Sequence, residues 1–387
     1  MSITNRRIEA LQAKLNAREL DGVLYTLGAA SIYLLEADGY NWQRQSWANI
    51  ARHFGDRPLY GLPEILLYVP CEGGAHLFCT PRKGAGLREV GLAPQEVVFD
   101  RFYSALFRVI KGRRIAVGDV CEDFLRRLLD EVAPDFELFE GESLCAELRR
   151  VKEPGEIARL EAAARLTDDA MGAILGMIGP GVTAQEVEDF FTDYGLSHGA
   201  TDLSFGPTCC VVKTGNLPEA NEIGGRPKQK PIELGCGLAF DLGYVLGGYC
   251  SDFGRSFYCG EPTRHMADAY AALQAGQVNM IEHIRPYETN VNELYGYVHE
   301  AVAAHGYGDV LRFPDTGSLG HQIGIDCHEH PMLNKGVDFV LEPGMVFASE
   351  PKIWLPGEMY MRVEDMVLVT EIGARALTVF DRVKFAL

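Results

Sequence analysis

The stretch FDLGYVLGGYCSDFGRSF, residues 240–257, places the tightest constraint on what this chain can fold into. Its flanks are rich in Phe, Leu, Tyr and Val, and Gly247-Gly248 is a turn signal, so a β-hairpin is expected. Asp241 and Asp252 stand inside those apolar flanks. A two-residue turn at Leu246-Gly247 puts the two acids directly opposite each other, and a turn at Gly247-Gly248 makes them diagonal neighbours. Both registers leave them on one face, because side chains alternate with period two. Cross-strand Cβ atoms lie about 4.5–8 Å apart, where like charges destabilise the pair. Three remedies are open at this point: Arg255 pairs with one acid, a shared proton raises one pKa, or a cation is bound.

The chain has 387 residues, more than one ordinary core holds, so two domains are expected. The formal charge of −18 leaves no basic stripe for phosphates and argues against nucleic-acid or anionic-membrane partners. No apolar run approaches the roughly 20 residues of a membrane helix. The N-terminus carries Ile8, Leu11 and Leu15 at helical spacing among mixed charges, which is an amphipathic helix and not a signal peptide. The ten cysteines form no CxxC pair, and without export signals the simplest expectation is reduced thiols in a cytoplasmic protein. Adjacent Cys209 and Cys210 are expected to be buried small apolar residues.

Residues 1–150 alternate helix and strand signals: DGVLYTL, the hairpin EILLYVPCEGGAHLFCT, then RRIAVGD. Pro154-Gly155 breaks the pattern before a long amphipathic helix, and the domain boundary is placed there, leaving 151–387 as a second domain. That second part repeats itself weakly. Thr183 and Glu186 have capping-box spacing, as do Asn290 and Glu293. Each opens the second of two helices, and strands follow each time. The expectation is an α+β, pseudo-twofold domain behind a smaller α/β domain, with a site drawing on both halves.

The second half holds another acid pair in strand-like runs, Glu350 in VFASEP and Glu364 in YMRVEDMVLV, joined by a Pro356-Gly357 turn. Alternation puts Glu364 on the face of Arg362, with Asp365 facing away. His321 and His328 bracket QIGIDC. A lone strand acid is ordinarily a surface charge and a lone histidine ordinarily a satisfied one. The combination of two acid pairs and a histidine-rich strand is what singles them out.

The order DLG…SDFGRS, GHQIGIDCHE, GMVFASEP, RVEDMVLVT resembles the creatinase/prolidase/aminopeptidase P family, whose pita-bread domain also occurs in methionine aminopeptidases. The likeness covers most of residues 145–375 and is specific for fold and metal site, not for substrate. It implies a dinuclear centre of two divalent ions: Asp241 on one, His321 and Glu350 on the other, Asp252 and Glu364 bridging. Oxygen-dominated ligands with one imidazole suit Mn, Co, Fe or Zn. It further implies Glu350 as acid–base group, His328 as the group contacting substrate or stabilising the intermediate, and Arg362 as orienting the carboxylates. The implied activity is hydrolysis of the bond before proline in a small peptide by a homodimer.

Three positions depart from that family. Its peptidases carry an upstream histidine, but counting forward from Gly215 lands on Glu222 and counting back from Asp241 lands on Gly224. Gly254 stands where they usually have Thr, and Lys352 where they usually have Gly. These point to a changed substrate pocket and to an alternative, a non-peptidase acting on a small metabolite, either a C–N hydrolase like ectoine hydrolase or a lyase like dimethylsulfoniopropionate lyase. A catalytically dead module fits poorly, since nothing would then retain four mutually repelling acids. Tyr40, Trp42 and Trp47 in GYNWQRQSW are expected to form either packing surface or a cage for a cationic amine.

Overall fold

The computed structural model describes residues 3–42, 64–98, 101–118, 133, 135–179, 181–215 and 228–387. They form two compact units, Met1–Arg149 and Arg150–Leu387.

The first unit is built on a six-stranded sheet in the order β4-β3-β2-β1-β5-β6. Its strands are β1 (Gly22–Thr26), β2 (Ile65–Pro70), β3 (His76–Cys79), β4 (Gln95–Glu96), β5 (Arg114–Gly118) and β6 (Glu137–Glu140). β1 runs antiparallel to β2 and parallel to β5, so the sheet is mixed. The N-terminal helix Arg6–Ala17 is capped by Asn5 and buries Ile8, Leu11 and Leu15 completely, the three residues spaced to share one face. Tyr40 and Trp42 are also buried, at 6% and 3% exposure, and Trp47 lies outside the described residues.

The second unit contains two similar halves. In the first, helices Pro154–Met177 and Ala184–Ser197 pack on a sheet of β8 (Thr208–Lys213), β9 (Cys236–Leu242) and β12 (Phe253–Tyr258). The small strands β7 (Asp202–Leu203), β10 (Tyr244–Leu246) and β11 (Tyr249–Cys250) form a sheet beside it. In the second half, helices Arg264–His283 and Leu294–Ala304 cover a five-stranded sheet in the order β14-β13-β15-β18-β19. Those strands are β13 (Gly320–Gln322), β14 (Glu329–Leu333), β15 (Val346–Ser349), β18 (Asp365–Thr370) and β19 (Gly373–Ala376), with the hairpin β16 (Lys352–Leu355) and β17 (Met359–Arg362) extending from it. Both capping boxes form. Glu186 Oε2 accepts from the Thr183 backbone at 2.8 Å, and Glu293 Oε2 from the Asn290 backbone at 2.7 Å.

The halves meet where Gly254 and Glu364 exchange backbone hydrogen bonds, with Glu364 N donating to Gly254 O at 2.8 Å. This bridge sets the two acid-bearing hairpins edge to edge.

Candidate metal centre

The first hairpin turns at Gly247-Gly248, where both residues take positive φ (58° and 82°). Glycine adopts that conformation without a Cβ penalty, and two such residues match the twist of the flanking strands. The register follows: Asp241 pairs with Gly254, so Asp241 and Asp252 are diagonal neighbours on one face. In the second hairpin Lys352 pairs with Arg362 and Ser349 with Asp365, which sets Glu350 opposite Glu364. His321 comes from β13, paired with Ala348 of β15.

Asp252, His321 and Glu364 each offer a ligand atom within 4.8 Å of the others. His321 Nε2 lies 3.3 Å from Asp252 Oδ2, and its Nδ1 is 3.1 Å from the Gln322 carbonyl oxygen. Donation from Nδ1 to that carbonyl leaves Nε2 as the ligating side of the ring. Asp241 and Glu350 are joined to this group through Arg362. The guanidinium pairs with Asp241, donates to Glu350 Oε2 at 2.6 Å and lies 3.4 Å from Glu364 Oε2. Lys352 also pairs with Glu350.

The electrostatics separate these carboxyls. Burial pushes Glu364 well above the usual carboxylate range; Arg362 opposes this, while Asp252, Glu350 and Asp241 add to it. Burial acts the same way on Glu350, but Arg362 and then Lys352 outweigh it and hold that group down at about 2. For His321 burial favours the neutral ring, and the hydrogen bond and charge of Asp252 override it, so its pKa is raised. Asp252 Oδ1 and Glu364 Oε2 are buried without a hydrogen-bond partner. Two buried carboxylate oxygens with no donor, beside an oriented imidazole, fit a hard-to-borderline divalent cation.

His328 immediately precedes β14, exposed, with its ring centroid 4.2 Å from that of His321. The loop before it is fixed by Glu329, which accepts from Ile325 N at 3.1 Å and pairs with Lys152 at 3.2 Å in a fully buried contact. Arg255, one of the three remedies offered for the acid pair, goes elsewhere. Its side chain points to the opposite face of the strand and pairs with Asp365 at 2.7 Å.

Two of the sequence departures converge on Arg362. A Cβ on Gly254 would stand 2.6 Å from Arg362 Cδ and 2.8 Å from Glu364 Oε2, so the missing side chain is what lets Arg362 cross over β12. Lys352 adds a second cation on Glu350. Glu222 and Gly224 lie outside the described residues. Sequence reasoning missed Cys327, whose thiol donates to Asp252 Oδ2 at 3.3 Å. Its one signal was adjacency to His328, since cysteines in apolar runs ordinarily just fill space.

The fold and this cluster of acids and imidazoles define a class, and the comparisons agree with it. Residues 158–371 match the model of metallopeptidase family M24, and the chain belongs to that family, whose members are metal-dependent hydrolases. Among its relatives, the uncharacterized peptidase YqhT of Bacillus subtilis is 34% identical over 247 residues, spanning 64% of this chain and 67% of that protein. The Xaa-Pro dipeptidase of Pyrococcus furiosus is 31% identical over 236 residues, spanning 61% and 65%. The chain thus matches about two thirds of the length of these relatives. Solved structures show the same fold over both units. The Xaa-Pro dipeptidase from Bacillus anthracis has a TM-score of 0.80 at 24% identity, covering 99% of each chain. The prolidase from Pyrococcus horikoshii has 0.81 at 24% identity, covering 98% and 99%. The fold is α+β, with a pita-bread second unit. Among the described residues no helix is long and apolar enough to cross a membrane.

Proposed function

We propose that the chain is a metal-dependent peptidase that cleaves the bond before proline in small peptides. The observation that carries this reading is the convergence of Asp252, His321 and Glu364, with two buried carboxylate oxygens left without donors. Asp241 would hold one ion and His321 and Glu350 the other, with Asp252 and Glu364 serving both. Four carboxylates then balance two divalent ions, drawn from Mn, Co, Fe or Zn. Such ions supply Lewis acidity toward a substrate carbonyl and an attacking water. His328, exposed beside His321, donates a hydrogen bond to the carbonyl oxygen as charge develops there. Arg362 orients Asp241 and Glu350. Glu350 carries the proton from water to the leaving nitrogen. Glu350 also pairs with Lys352, so taking up that proton requires it to exchange this partner for the water. The working enzyme is proposed to be a cytoplasmic homodimer.

One observation favours a second reading, a hydrolase or lyase acting on a small metabolite: the remodelling of Arg362 and Glu350 by Gly254 and Lys352. The deciding experiment strips the protein with chelator, adds back Mn, Co, Fe or Zn separately, and follows product release from Xaa-Pro dipeptides and longer Xaa-Pro peptides. Metal-dependent cleavage is expected. Metal uptake with no cleavage overturns the peptidase reading in favour of the second. In the same preparations Asp252→Ala and Glu364→Ala should each lose metal at both positions, and a variant retaining two tightly bound ions overturns the shared-ligand assignment.

A further inference from the structure

Arg312 has no place in the chemistry above, and it is a cation without a counter-charge. Leu311 bridges to Ile353, and Arg312 N donates to the Lys352 carbonyl at 2.9 Å, so this segment runs along the β16–β17 hairpin. The guanidinium carbon lies 4.9 Å from the Phe313 ring centroid and 5.6 Å from that of Trp354. Among the described residues it meets no carboxylate, and its Nη1 is buried without an acceptor. A charged donor buried in that way costs free energy unless something accepts from it.

The hairpin connects Arg312 to the acid cluster. Lys352 pairs with Arg362 and Trp354 with Tyr360, so all four side chains share one face. Lys352 and Arg362 reach Glu350 from that face. Tyr360 stands next along it, buried, its ring centroid 5.8 Å from that of Trp354. Burial pushes its pKa up to about 12; Arg362 opposes this, Glu350 and Asp241 add to it, and Arg312 opposes it. The phenol is therefore a neutral donor standing in the field of both the cluster and Arg312. The backbone supplies a second observation. Phe313 has a φ of 62°, in the left-handed region that bulky side chains avoid, and it is 40% exposed. Lys352 Nζ lies 5.9 Å from the centroid of the ring that Arg312 also faces. Strained residues of this kind cluster at ligand clamps.

We propose that Arg312 anchors a carboxylate subsite, flanked by Lys352 and the Tyr360 hydroxyl, and that the substrate carries a free carboxylate held there. This deepens the hydrolase reading and rests on it. A guanidinium presents parallel N–H groups that match the two oxygens of a carboxylate, and the Phe313 and Trp354 rings fix its plane. The carboxylate comes either from the C-terminus of a dipeptide or from an acidic side chain of the substrate. The chain as a whole repels anions at a formal charge of −18, so a preference for an acid has to come from a local site.

The test titrates the chelator-stripped full-length protein calorimetrically with matched acids and amides. One pair is glycyl-L-proline and glycyl-L-prolinamide; the other is succinate and succinamide, which contain no peptide to be recognised. The acids should bind about 10–100-fold more tightly than their amides. Arg312→Gln should abolish that preference while amide affinity holds, and Arg312→Lys should keep part of it. A merely structural role for Arg312 would weaken acid and amide alike. With metal restored, a kcat/KM that favours glycyl-L-proline over L-glutamyl-L-prolinamide assigns the C-terminal carboxylate, and the reverse order assigns the side chain. Equal binding of acid and amide in both pairs overturns the subsite, as does a preference that survives Arg312→Gln. Inorganic phosphate binding more tightly than succinate overturns the carboxylate class. An acid preference without cleavage of any Xaa-Pro peptide overturns the peptidase reading and leaves the subsite standing.

Discussion

Glu364 and Asp365 are consecutive, both are almost wholly buried, and their surroundings are opposite. Asp365 is saturated with donors: Arg255 at 2.7 Å and Thr378 at 2.9 Å on one oxygen, Arg382 at 2.9 Å and Gln277 at 3.3 Å on the other. Burial alone would raise its pKa, but Arg255 and Arg382 outweigh it and the group is held down. Glu364 has one oxygen without a donor, three carboxylates nearby and a pKa pushed up. One face of the strand is complete in itself, and the other is left short of positive charge. A protein interior tolerates such a deficit when something outside the chain fills it, and that is the lesson of the pair.

The sharpest way to break the comparison is to empty the saturated face. Asp365→Ala strands Arg255, which has no exposure to solvent, and should cost about 3–5 kcal/mol in denaturant unfolding of the metal-free protein. A loss under 1 kcal/mol would mean the network is not what holds that face.

An intermediate case lies on helix Pro154–Met177. Asp168 accepts from Val379 N at 2.6 Å through one oxygen and leaves the other unpartnered, and burial raises its pKa from 3.8 to about 6. The folded value lies above the unfolded one, so its contribution is full below about pH 4 and is lost as pH rises through 6. Asp168→Asn keeps an acceptor for Val379 and carries no charge. It should be neutral near pH 4 and stabilising on the order of 2 kcal/mol at pH 8, with unfolding at both pH values as the check. A substitution that is equally harmful at both would assign Asp168 a purely structural hydrogen bond.

The smallest effect is expected at Glu364 itself. Glu364→Gln keeps the uncharged form that burial already favours on the deficient face, so the metal-free protein should be unchanged to within about 1 kcal/mol. Its metal uptake should fall all the same. Marked destabilisation without metal would show that Arg362 already satisfies Glu364, erasing the contrast with Asp365.

Much of this was legible in the chain. Period-two alternation put Asp241 and Asp252 on one face and separated Glu364 from Asp365, while the choice between a directly opposed and a diagonal first pair came only with the structure. The two capping boxes and the face of the N-terminal helix were equally local and equally readable. Partners from distant segments were not legible. Arg255 was a candidate partner for the acid pair because it is near in sequence, yet it turned to Asp365, 110 residues away. Lys152 finds Glu329 across 177 residues.

The sequence by itself determined which carboxylates share a face, because pleat and turn chemistry act over a few residues and follow from side-chain type. Only the tertiary structure decided how that face is completed. The bridge between Gly254 and Glu364 brings the two hairpins edge to edge, the bare Cα of Gly254 admits Arg362, and Cys327 is carried onto Asp252 by a loop anchored elsewhere. Those are questions of volume and distance between segments far apart along the chain, and no local pattern encodes them.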